Sequence, residues 1–525
     1  MIAVLLIVAA VRLRLLNFPL ERDEGEYAYA GQLILQGIPP YELAYNMKFP
    51  GTYLGYAAIM AVFGETPAGI HLGIMLMTTA TALMLYWLGR KLLDETAGVV
   101  AASSYAVLAA SPSMLGLAGH ATHFCAFFAT AGLCLMWRAR AKETWPLLAA
   151  SGALFGTAVL MKQHAVIIAA WAGLWFAFGK FFFSKGLIYK RVASVAVYGF
   201  SMLGPLGACC LWLWCAGVFT KFKFWTFDYA QEYATGVPLV YAPQMFWHGF
   251  SWVITSAILL WIFALIGVAL VWVDARWKSS RGWFLSFCAA SALAVCPDFY
   301  FRKHYFLIAL PALALLSGAA VSGLRQLKLN APRLGDWPAW SFALASAVTI
   351  FTNAGVWFEL PLRQIIRGTG PNDHGLYGLD PLPEAEVVAK FIADNSAPDA
   401  RVAILGSEPE IYFLAHRHSA TGYIYTYGLM EPQPFALTMQ REMIGDIEAC
   451  RPQFLVYARN IMSWNRHDDS TSLIFNWWAA YKTNYTLVGM TDILSPTNTI
   501  IVLGTNYVAR YPQPHGSALE IFQRK

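Results

Sequence analysis

Long apolar runs recur along the first two thirds of this 525-residue chain and constrain its fold more than any other feature. Hydrophobic residues make up 58% of the sequence and charged residues only 13%, whereas soluble globular proteins carry about 25% charged residues. Such runs are typical of helices that cross a bilayer, so we predict a polytopic α-helical membrane protein with about eleven transmembrane helices. The predicted spans are residues 2–18, 68–89, 96–114, 119–137, 146–161, 164–182, 192–217, 250–273, 283–296, 305–323 and 338–356.

Basic residues gather in alternate loops between these spans, and the positive-inside rule places such loops in the cytoplasm. An odd number of spans then leaves the C-terminal segment outside, as in a multi-pass protein of a bacterial inner or plasma membrane (in a eukaryote, on the lumenal side). The net charge of +6 is not gathered in one block, so no nucleic-acid partner is predicted. The basic loops contain Arg90, Lys91, Arg138, Arg140, Lys142, Lys185, Lys190, Arg191, Arg276, Lys278, Arg281, Arg325, Lys328 and Arg333.

The composition changes at about residue 357, where long apolar runs stop and Pro, Asp, Asn and Glu become more frequent. The pattern predicts a helix, a turn, a strand and a helix over 383–417, a helix and a strand over 435–459, and strands over 484–494 and 498–506. We therefore predict a transmembrane domain of residues 1–356 and a small extracytoplasmic α/β domain of residues 357–525. Seven of the eight cysteines lie in or beside apolar segments, which favours neither a disulfide framework nor a cysteine metal site.

Two short apolar segments need separate interpretation. Residues 51–64, inside a large predicted outer loop of residues 19–67, are too short for a span, and we predict an interfacial helix there. Residues 145–182 could form one long span or two short ones. Because a lysine in the middle of a bilayer is costly, we predict two spans, with the break and Lys162 at the outer surface.

The first outer loop opens with a dense charge cluster, Glu21, Arg22, Asp23, Glu24 and Glu26. Charged groups beside a membrane span cost free energy and therefore mark a candidate functional site; the alternative is a solvated cap of the first helix. A partly desolvated carboxylate can act as a general base, and Asp23 and Glu24 are the first candidates. The sequence leaves Glu26 and Glu21 open as alternatives. If Asp23 begins a helix, then Glu26 and Tyr27 lie on the same face as it.

Cationic side chains at the predicted outer ends of the spans are candidates for binding an anion. Lys48, in the same loop, suits a lipid phosphate, although a snorkelling lysine is the alternative interpretation. Arg302, Lys303 and His304 lie in a short outer turn, against the positive-inside trend, which indicates an anion site or an interfacial anchor.

Histidines and a further lysine can line the same cavity. His120 and His123 are three residues apart at an outer turn, but no third ligand accompanies them in sequence, so no metal site is predicted. We expect these two histidines to line a polar cavity, and we consider Lys162 as either a lining residue or a membrane anchor.

The stretch RDEGEYAYAGQLILQGIPPYELAYNMKFPG resembles the membrane-embedded GT-C glycosyltransferases that use polyprenyl-phosphate-linked sugars, a group that includes the protein O-mannosyltransferases and the aminoarabinose transferases. The late basic–aromatic turn followed by LIALPALALLSG and the C-terminal domain extend the resemblance over most of the chain. The resemblance implies a GT-C-like fold, with Asp23 as the catalytic aspartate and Glu24 as the acidic residue that follows it. It also implies that Lys48, with Arg302 or His304, binds the donor phosphate. The other expected substrate-lining residues are Glu26, Tyr27, Lys162, His120, His123 and Tyr305.

Two departures from the family pattern bear on the expected chemistry. Thr122 stands where many members carry a carboxylate in the second outer loop, and KFPG replaces the usual Lys-Pro-Pro. Some members bind a divalent metal through that carboxylate, so neither a metal nor another cofactor is firmly predicted.

The implied activity is sugar transfer with inversion, from a polyprenyl-phosphate donor to a hydroxyl of a lipid, glycan or protein acceptor in the cell envelope. A transporter or flippase of lipid-linked sugars is the alternative, and it would carry polar groups deep within several spans. Here the ionisable residues concentrate at the predicted outer ends, which favours the enzyme. A third possibility, a scaffold whose outer domain binds a partner, would not need the charge cluster.

Overall fold

We describe the protein from a computed structural model that covers residues 1–142, 144–178, 188–328, 336–369, 375–511 and 513–525. The first two thirds of the chain are helical. The helices are α1 Ile2–Arg14, α2 Arg22–Leu35, α3 Gly51–Phe63, α4 Pro67–Leu92, α5 Glu95–Leu108, α6 Ala121–Lys142, α7 Trp145–Met161, α8 Val166–Phe178, α9 Ile188–Cys215, α10 Phe219–Lys223, α11 Ala230–Ala234, α12 Ala242–Thr255, α13 Ile258–Val273, α14 Arg281–Leu293, α15 Leu310–Lys328, α16 Trp337–Thr352 and α17 Leu362–Arg367.

Several of these helices suit a membrane. Among the described residues, Pro67–Leu92, Tyr189–Cys215 and Lys303–Leu327 are long and apolar enough to cross one by length and composition. The segments Leu239–Thr255 and Ile258–Val273, bent by 109°, would together make a fourth. These helices support a multi-pass membrane protein, and the number of eleven spans stays a prediction. The end of the predicted span 164–182 and the loop residues Lys185 and Arg333 lie outside the described residues.

The two short apolar segments both form helices. Residues 51–64 correspond to α3, and the 145–182 segment is divided into α7 and α8. The break lies at Lys162, whose backbone is extended, and a single turn of 3-10 helix, Gln163–Ala165, follows it. The structure thus confirms the predicted helix break.

The C-terminal part of the chain, residues 357–525, contains a mixed sheet. Its six strands have the order β2-β1-β3-β6-β4-β5, with β1 parallel to β2 and β3 and the other pairs antiparallel. The helix and strand order predicted from the sequence is confirmed, but the short β2 and the last strand, β6, were not predicted. The further elements are α18 Leu382–Asp394, β1 Arg401–Leu405, α19 Glu410–Ala415, β2 His418–Ser419, α20 Tyr427–Met430, α21 Ala436–Cys450, β3 Phe454–Arg459, α22 Ile461–Trp464, α23 Leu473–Tyr481, β4 Tyr485–Ser495, β5 Asn498–Leu503, α24 Thr505–Val508 and β6 Ser517–Arg524.

The helical part and the C-terminal part share their hydrophobic cores. One core runs from α1 through the helices to β1, β3 and β6. A second core joins residues of the α2–α3 connection, the 218–229 segment and the sheet. Packed against this core, Tyr45 stacks on Trp225 at 5.5 Å between ring centroids and meets the edge of Tyr423 at 5.2 Å. Such aromatic contacts between segments far apart in sequence hold the segment after β2 against the α2–α3 connection.

A buried ion pair joins α17 and α18 in the C-terminal part. The Arg367 guanidinium pairs with Glu384, and both side chains are almost wholly buried. Thr499 of β5 accepts a hydrogen bond from Arg367 at 2.8 Å and donates one to Glu384 at 3.1 Å. Loss of one charged partner would leave the other buried and uncompensated. The contact between α18 and β5 is therefore stable only when all three residues are present.

We predict that Glu384→Gln lowers the free energy of unfolding by about 3 kcal/mol, because Arg367 stays buried without its counter-charge. Asp394→Asn on the same helix is the matched control; its pair with Lys390 is exposed, and its loss should cost about 0.5 kcal/mol or less. Denaturant unfolding of the full chain in detergent measures both changes. Equal effects of the two substitutions would contradict the assigned importance of the buried pair.

Candidate active site

The charge cluster at residues 21–26 forms the first turns of α2. Glu21 accepts a hydrogen bond from the Glu24 backbone at 3.1 Å, and the Glu24 side chain approaches the Glu21 backbone nitrogen at 3.4 Å, which completes a capping box. Asp23 and Glu24 then lie in the first turn, where the positive end of the helix dipole stabilises carboxylates. A helix therefore begins here even though the cluster is densely charged.

Exposure separates the four carboxylates. The Asp23 side chain is 25% exposed, against 11% for Glu21 and 0% for Glu24 and Glu26. Glu24 accepts hydrogen bonds from His71 Nε2 at 3.1 Å and from the Gly119 backbone, so it ties α2 to α4 and to the turn before α6. Of the carboxylates that the sequence left open, Asp23 is the one that a substrate can reach. A catalytic role for Glu24 stays a prediction, and its contacts suit a structural one.

Lys48 meets the face of α2 that carries Asp23 and Glu26. Its Nζ donates to Asp23 Oδ1 at 2.7 Å and to Glu26 Oε2 at 2.6 Å, and it lies 4.6 Å from the centre of the Tyr27 ring. Tyr53 of α3 donates to the other oxygen of Glu26 at 2.5 Å. The structure thus brings together Asp23, Glu26 and Tyr27, as the helical spacing predicts, and it places Lys48 between the two carboxylates.

Burial and the ion pairs act in opposite directions on the pKa values of these groups. Burial alone would raise the pKa of Asp23, but Lys48, His304 and His120 outweigh it and hold that pKa well below its usual range. Burial raises the pKa of Glu26, and Lys48 offsets this only in part. Burial would lower the pKa of Lys48, but the two carboxylates raise it well above the usual value. At neutral pH, Asp23 is therefore a carboxylate beside a lysine cation.

Two histidines close the other side of Asp23. His120, in the turn before α6, stacks on His304 with ring centroids 4.1 Å apart, and its Nδ1 lies 3.9 Å from Asp23 Oδ2. Thr122 donates to the His304 carbonyl at 2.9 Å and so fixes that turn. His123 is not part of this group, because its Nε2 is hydrogen-bonded to the Gly116 carbonyl at 3.0 Å. The histidines that meet are thus 120 and 304, not the sequence neighbours 120 and 123.

Asp23, His120 and His304 could hold a metal ion. One ligand atom from each lies within 4.8 Å of the others. Both ring nitrogens of His120 are buried and, within the described part of the chain, have no hydrogen-bond partner. A carboxylate and two imidazoles are ligands that divalent transition metals accept, so these residues fit a cation that the sequence analysis did not predict.

Lys162, at the break between α7 and α8, meets Tyr305 of the late turn beside this group. Lys162 Nζ lies 3.7 Å from the centre of the Tyr305 ring, and the Tyr305 hydroxyl donates to Asp298 at 3.2 Å. His164 lies 3.6 Å from the same carboxylate. Asp298 has a positive φ of 65°, a conformation that is rare outside glycine, and such strain clusters at functional sites.

Arg302 lies farther along the same turn. Its guanidinium packs over the Tyr300 ring at 5.2 Å, and Tyr300 stacks on Tyr233 at 4.8 Å. Among the described residues no ion pair joins Arg302 to the Asp23–Lys48 group. Of the three residues predicted from the sequence to bind phosphate, Lys48 and His304 therefore lie beside Asp23, whereas Arg302 is exposed and lies apart from them.

The sequence analysis did not predict two polar residues that lie near Asp23 and its neighbours. Asp298 lies in the same turn as Arg302, and its proximity to that basic stretch could have indicated it. Tyr425 belongs to the C-terminal part, yet its hydroxyl lies 3.4 Å from Asp23 Oδ1. Nothing in the local sequence around Tyr425 indicates this contact, because 402 residues separate it from Asp23.

The chain is similar in sequence and in fold to known proteins. Residues 49–205 match the model of the family described as dolichyl-phosphate-mannose-protein mannosyltransferase. ArnT from Cupriavidus metallidurans, in a structure bound to undecaprenyl phosphate, aligns with a TM-score of 0.61 at 13% identity, over 95% of this chain and 97% of that one. Its apo structure aligns with a TM-score of 0.54 at 13% identity, over 93% and 95% of the two chains. No curated protein sequence matches the chain.

These matches identify the class of fold. The helical part, the two short helices α2 and α3 and the C-terminal sheet together have the fold of ArnT. The resemblance that the first-loop sequence carries is thereby confirmed.

Proposed function

We propose that this protein is an inverting glycosyltransferase that moves a sugar from a polyprenyl-phosphate donor to an acceptor hydroxyl at the membrane surface. The observation that carries the proposal is Asp23, an ionised and partly exposed carboxylate beside Lys48 in a protein with the GT-C fold. The structural neighbour ArnT binds undecaprenyl phosphate, which supports a donor of this chemical kind.

Lys162 is the side chain best placed to receive the donor phosphate. Among the described residues no carboxylate lies within ion-pair distance of its Nζ, whereas Lys48 already pairs with Asp23 and Glu26. A buried cation of this kind gains a partner when a phosphate binds. Lys48 would then neutralise charge between the base and the phosphate, and Arg302 would act at the outer edge of the site.

The chemistry requires only a base and an anion site. Asp23 accepts the proton of the acceptor hydroxyl, whose oxygen attacks the anomeric carbon on the face opposite the phosphate. The bond between that carbon and the phosphate oxygen breaks, and the lipid phosphate leaves with the electron pair. Because the phosphate is a good leaving group, the cations stabilise its charge and no general acid is needed.

The alternative, a transporter for lipid-linked sugars, has no support among the comparisons, which are with transferases. The charged groups of the site also gather around α2 and its neighbours, where a transporter would need them along a path through the helices.

Metal assistance is compatible with the site. Asp23, His120 and His304 would hold a divalent cation, and that cation would supply positive charge for the donor phosphate.

We predict that Asp23→Asn lowers the turnover number about a thousandfold while donor binding is retained, since the variant removes the base and preserves its shape. The measurement is sugar transfer in proteoliposomes from a panel of polyprenyl-phosphate sugars. Asp228→Asn is the matched control, because Asp228 is an exposed carboxylate paired with Lys223. Wild-type turnover in Asp23→Asn would exclude Asp23 as the base, and flipping of the donor without transfer would favour the transporter.

The donor KM should depend on pH through Lys162. Burial lowers the pKa of Lys162 to about 8, so its cation is present below that pH and is lost above it. Between about pH 7 and about pH 9 the donor KM should rise about tenfold in the wild type. In Lys162→Arg this rise should vanish, because arginine stays charged, whereas Lys303→Arg should retain it. A flat wild-type KM over this range would argue against Lys162 as a phosphate ligand.

Metal binding can be tested apart from activity. We predict that His304→Ala weakens the binding of Mn²⁺ or Zn²⁺ to the purified protein by about a hundredfold, measured by calorimetry. His123→Ala, which removes the neighbouring histidine outside the cluster, should bind like the wild type. Equal binding by the wild type and both variants would show that the cluster is not a metal site.

A further inference from the structure

We propose that the C-terminal part of the chain is a working component of the catalytic centre, in which Arg22 and Tyr425 are positioning residues for Asp23. The inference rests on the proposed glycosyltransferase function, and it assigns these two residues a task within the same site. Its basis is a set of contacts from residues 380–427 to the first turn of α2.

Arg22 binds the C-terminal part with its whole guanidinium. Nε donates to the Ser407 carbonyl at 2.7 Å, and Nη1 donates to the Tyr427 hydroxyl at 3.0 Å. Nη2 donates to Asp380 at 2.9 Å and to Glu408 at 3.0 Å. All three nitrogens of a side chain next to the proposed base are thus bonded to residues of the C-terminal part. Because Arg22 and Asp23 are adjacent in the chain, these contacts also restrict the backbone of Asp23.

The segment that carries Tyr425 is fixed by the same contacts. Tyr427 receives the bond from Arg22 and donates to the Met462 carbonyl at 2.8 Å. Between the two tyrosines, the Thr426 backbone nitrogen donates to Ser407 Oγ at 3.0 Å. Arg22 therefore restrains both residues of the Asp23–Tyr425 contact. It restrains Asp23 through the backbone of α2, and it restrains Tyr425 through the neighbouring residue Tyr427.

Tyr425 and Lys48 together orient the Asp23 carboxylate. Both donate to Oδ1, Lys48 at 2.7 Å and Tyr425 at 3.4 Å. The other oxygen, Oδ2, faces His120 at 3.9 Å. Occupation of Oδ1 leaves Oδ2 as the oxygen that takes the proton from the acceptor hydroxyl. The hydroxyl of Tyr425 thus selects which oxygen of the base reacts.

A glycine allows the C-terminal part to approach α2 this closely. A Cβ on Gly25 would lie 2.6 Å from the backbone nitrogen of Glu410 and 2.8 Å from its Cα. Since these are backbone atoms, the conflict can be relieved only if α19 moves away from α2. Alanine is the better helix former, so Gly25→Ala would separate the two parts without weakening the helix itself.

The first experiment measures kcat and the donor KM for Tyr425→Phe and Gly25→Ala in the proteoliposome transfer assay. We expect kcat to fall about tenfold or more in both variants while the donor KM changes less than about twofold, because misplacement of a base slows chemistry without removing phosphate contacts. Gly204→Ala, at a helical glycine with nothing within 4 Å of the added Cβ, is the matched control and should leave both constants unchanged.

The Tyr425→Phe result decides the inference, because it removes one hydroxyl and leaves the fold intact. A kcat within about twofold of the wild type would overturn the role of Tyr425, whatever Gly25→Ala does. A wild-type protein that transfers no sugar from any donor would instead overturn the proposed function.

The Arg22 contacts are tested without activity by hydrogen exchange on the full chain. In Arg22→Gln, the amides of residues 425–427 should exchange about tenfold faster than in the wild type, because their link to α2 is lost. Lys223→Gln, which removes an exposed cation of the 218–229 segment, is the control. Unchanged exchange in Arg22→Gln would show that Arg22 does not hold this segment, and would overturn the inference even if no transfer assay succeeds.

Discussion

Four carboxylates at the start of α2 are withdrawn from water, and the rest of the structure depends on how their charges are compensated. Burial of an uncompensated carboxylate costs several kcal/mol, so each needs a donor or a cation. Glu21 accepts from the helix backbone, Glu24 from His71 and Gly119, and Glu26 from Lys48 and Tyr53. Asp23 shares Lys48 and keeps part of its surface exposed. Apart from the Glu24 backbone, these donors come from four separate segments, which places α2 at the centre of the fold.

This compensation also explains why a reactive group lies at the same place. Three of the carboxylates are held by hydrogen bonds within the fold. The fourth, Asp23, has one oxygen directed toward the stacked pair of His120 and His304. Lys48 lowers the basicity of Asp23 and fixes its geometry, which favours an ionised base with a defined direction of approach. Stability and chemistry therefore use the same ion pairs, and changes in either should be coupled.

The local features of this arrangement could be predicted from the sequence. If a helix begins at Asp23, helical spacing places Asp23, Glu26 and Tyr27 together, and the structure begins that helix at Arg22. The lysine in an apolar segment predicts the helix break at residue 162, and alternation predicts most strands of the C-terminal sheet. The pairing of His120 with His304 could not be predicted, because it joins turns that are 184 residues apart. The last strand, β6, was also missed, although it lies between β3 and β4 at the centre of the sheet.

By itself, the sequence determined the apolar helices and the charged residue types gathered at residues 21–26, because these follow from hydrophobicity and spacing over a few residues. Only the tertiary structure decided which carboxylate is exposed, which histidines face it and which tyrosine binds it. The physical reason is that exposure, ion pairing and hydrogen bonding depend on distances between segments that the chain brings together from far apart. Tyr425, contributed by the C-terminal part to Asp23 near the N-terminus, is the clearest example.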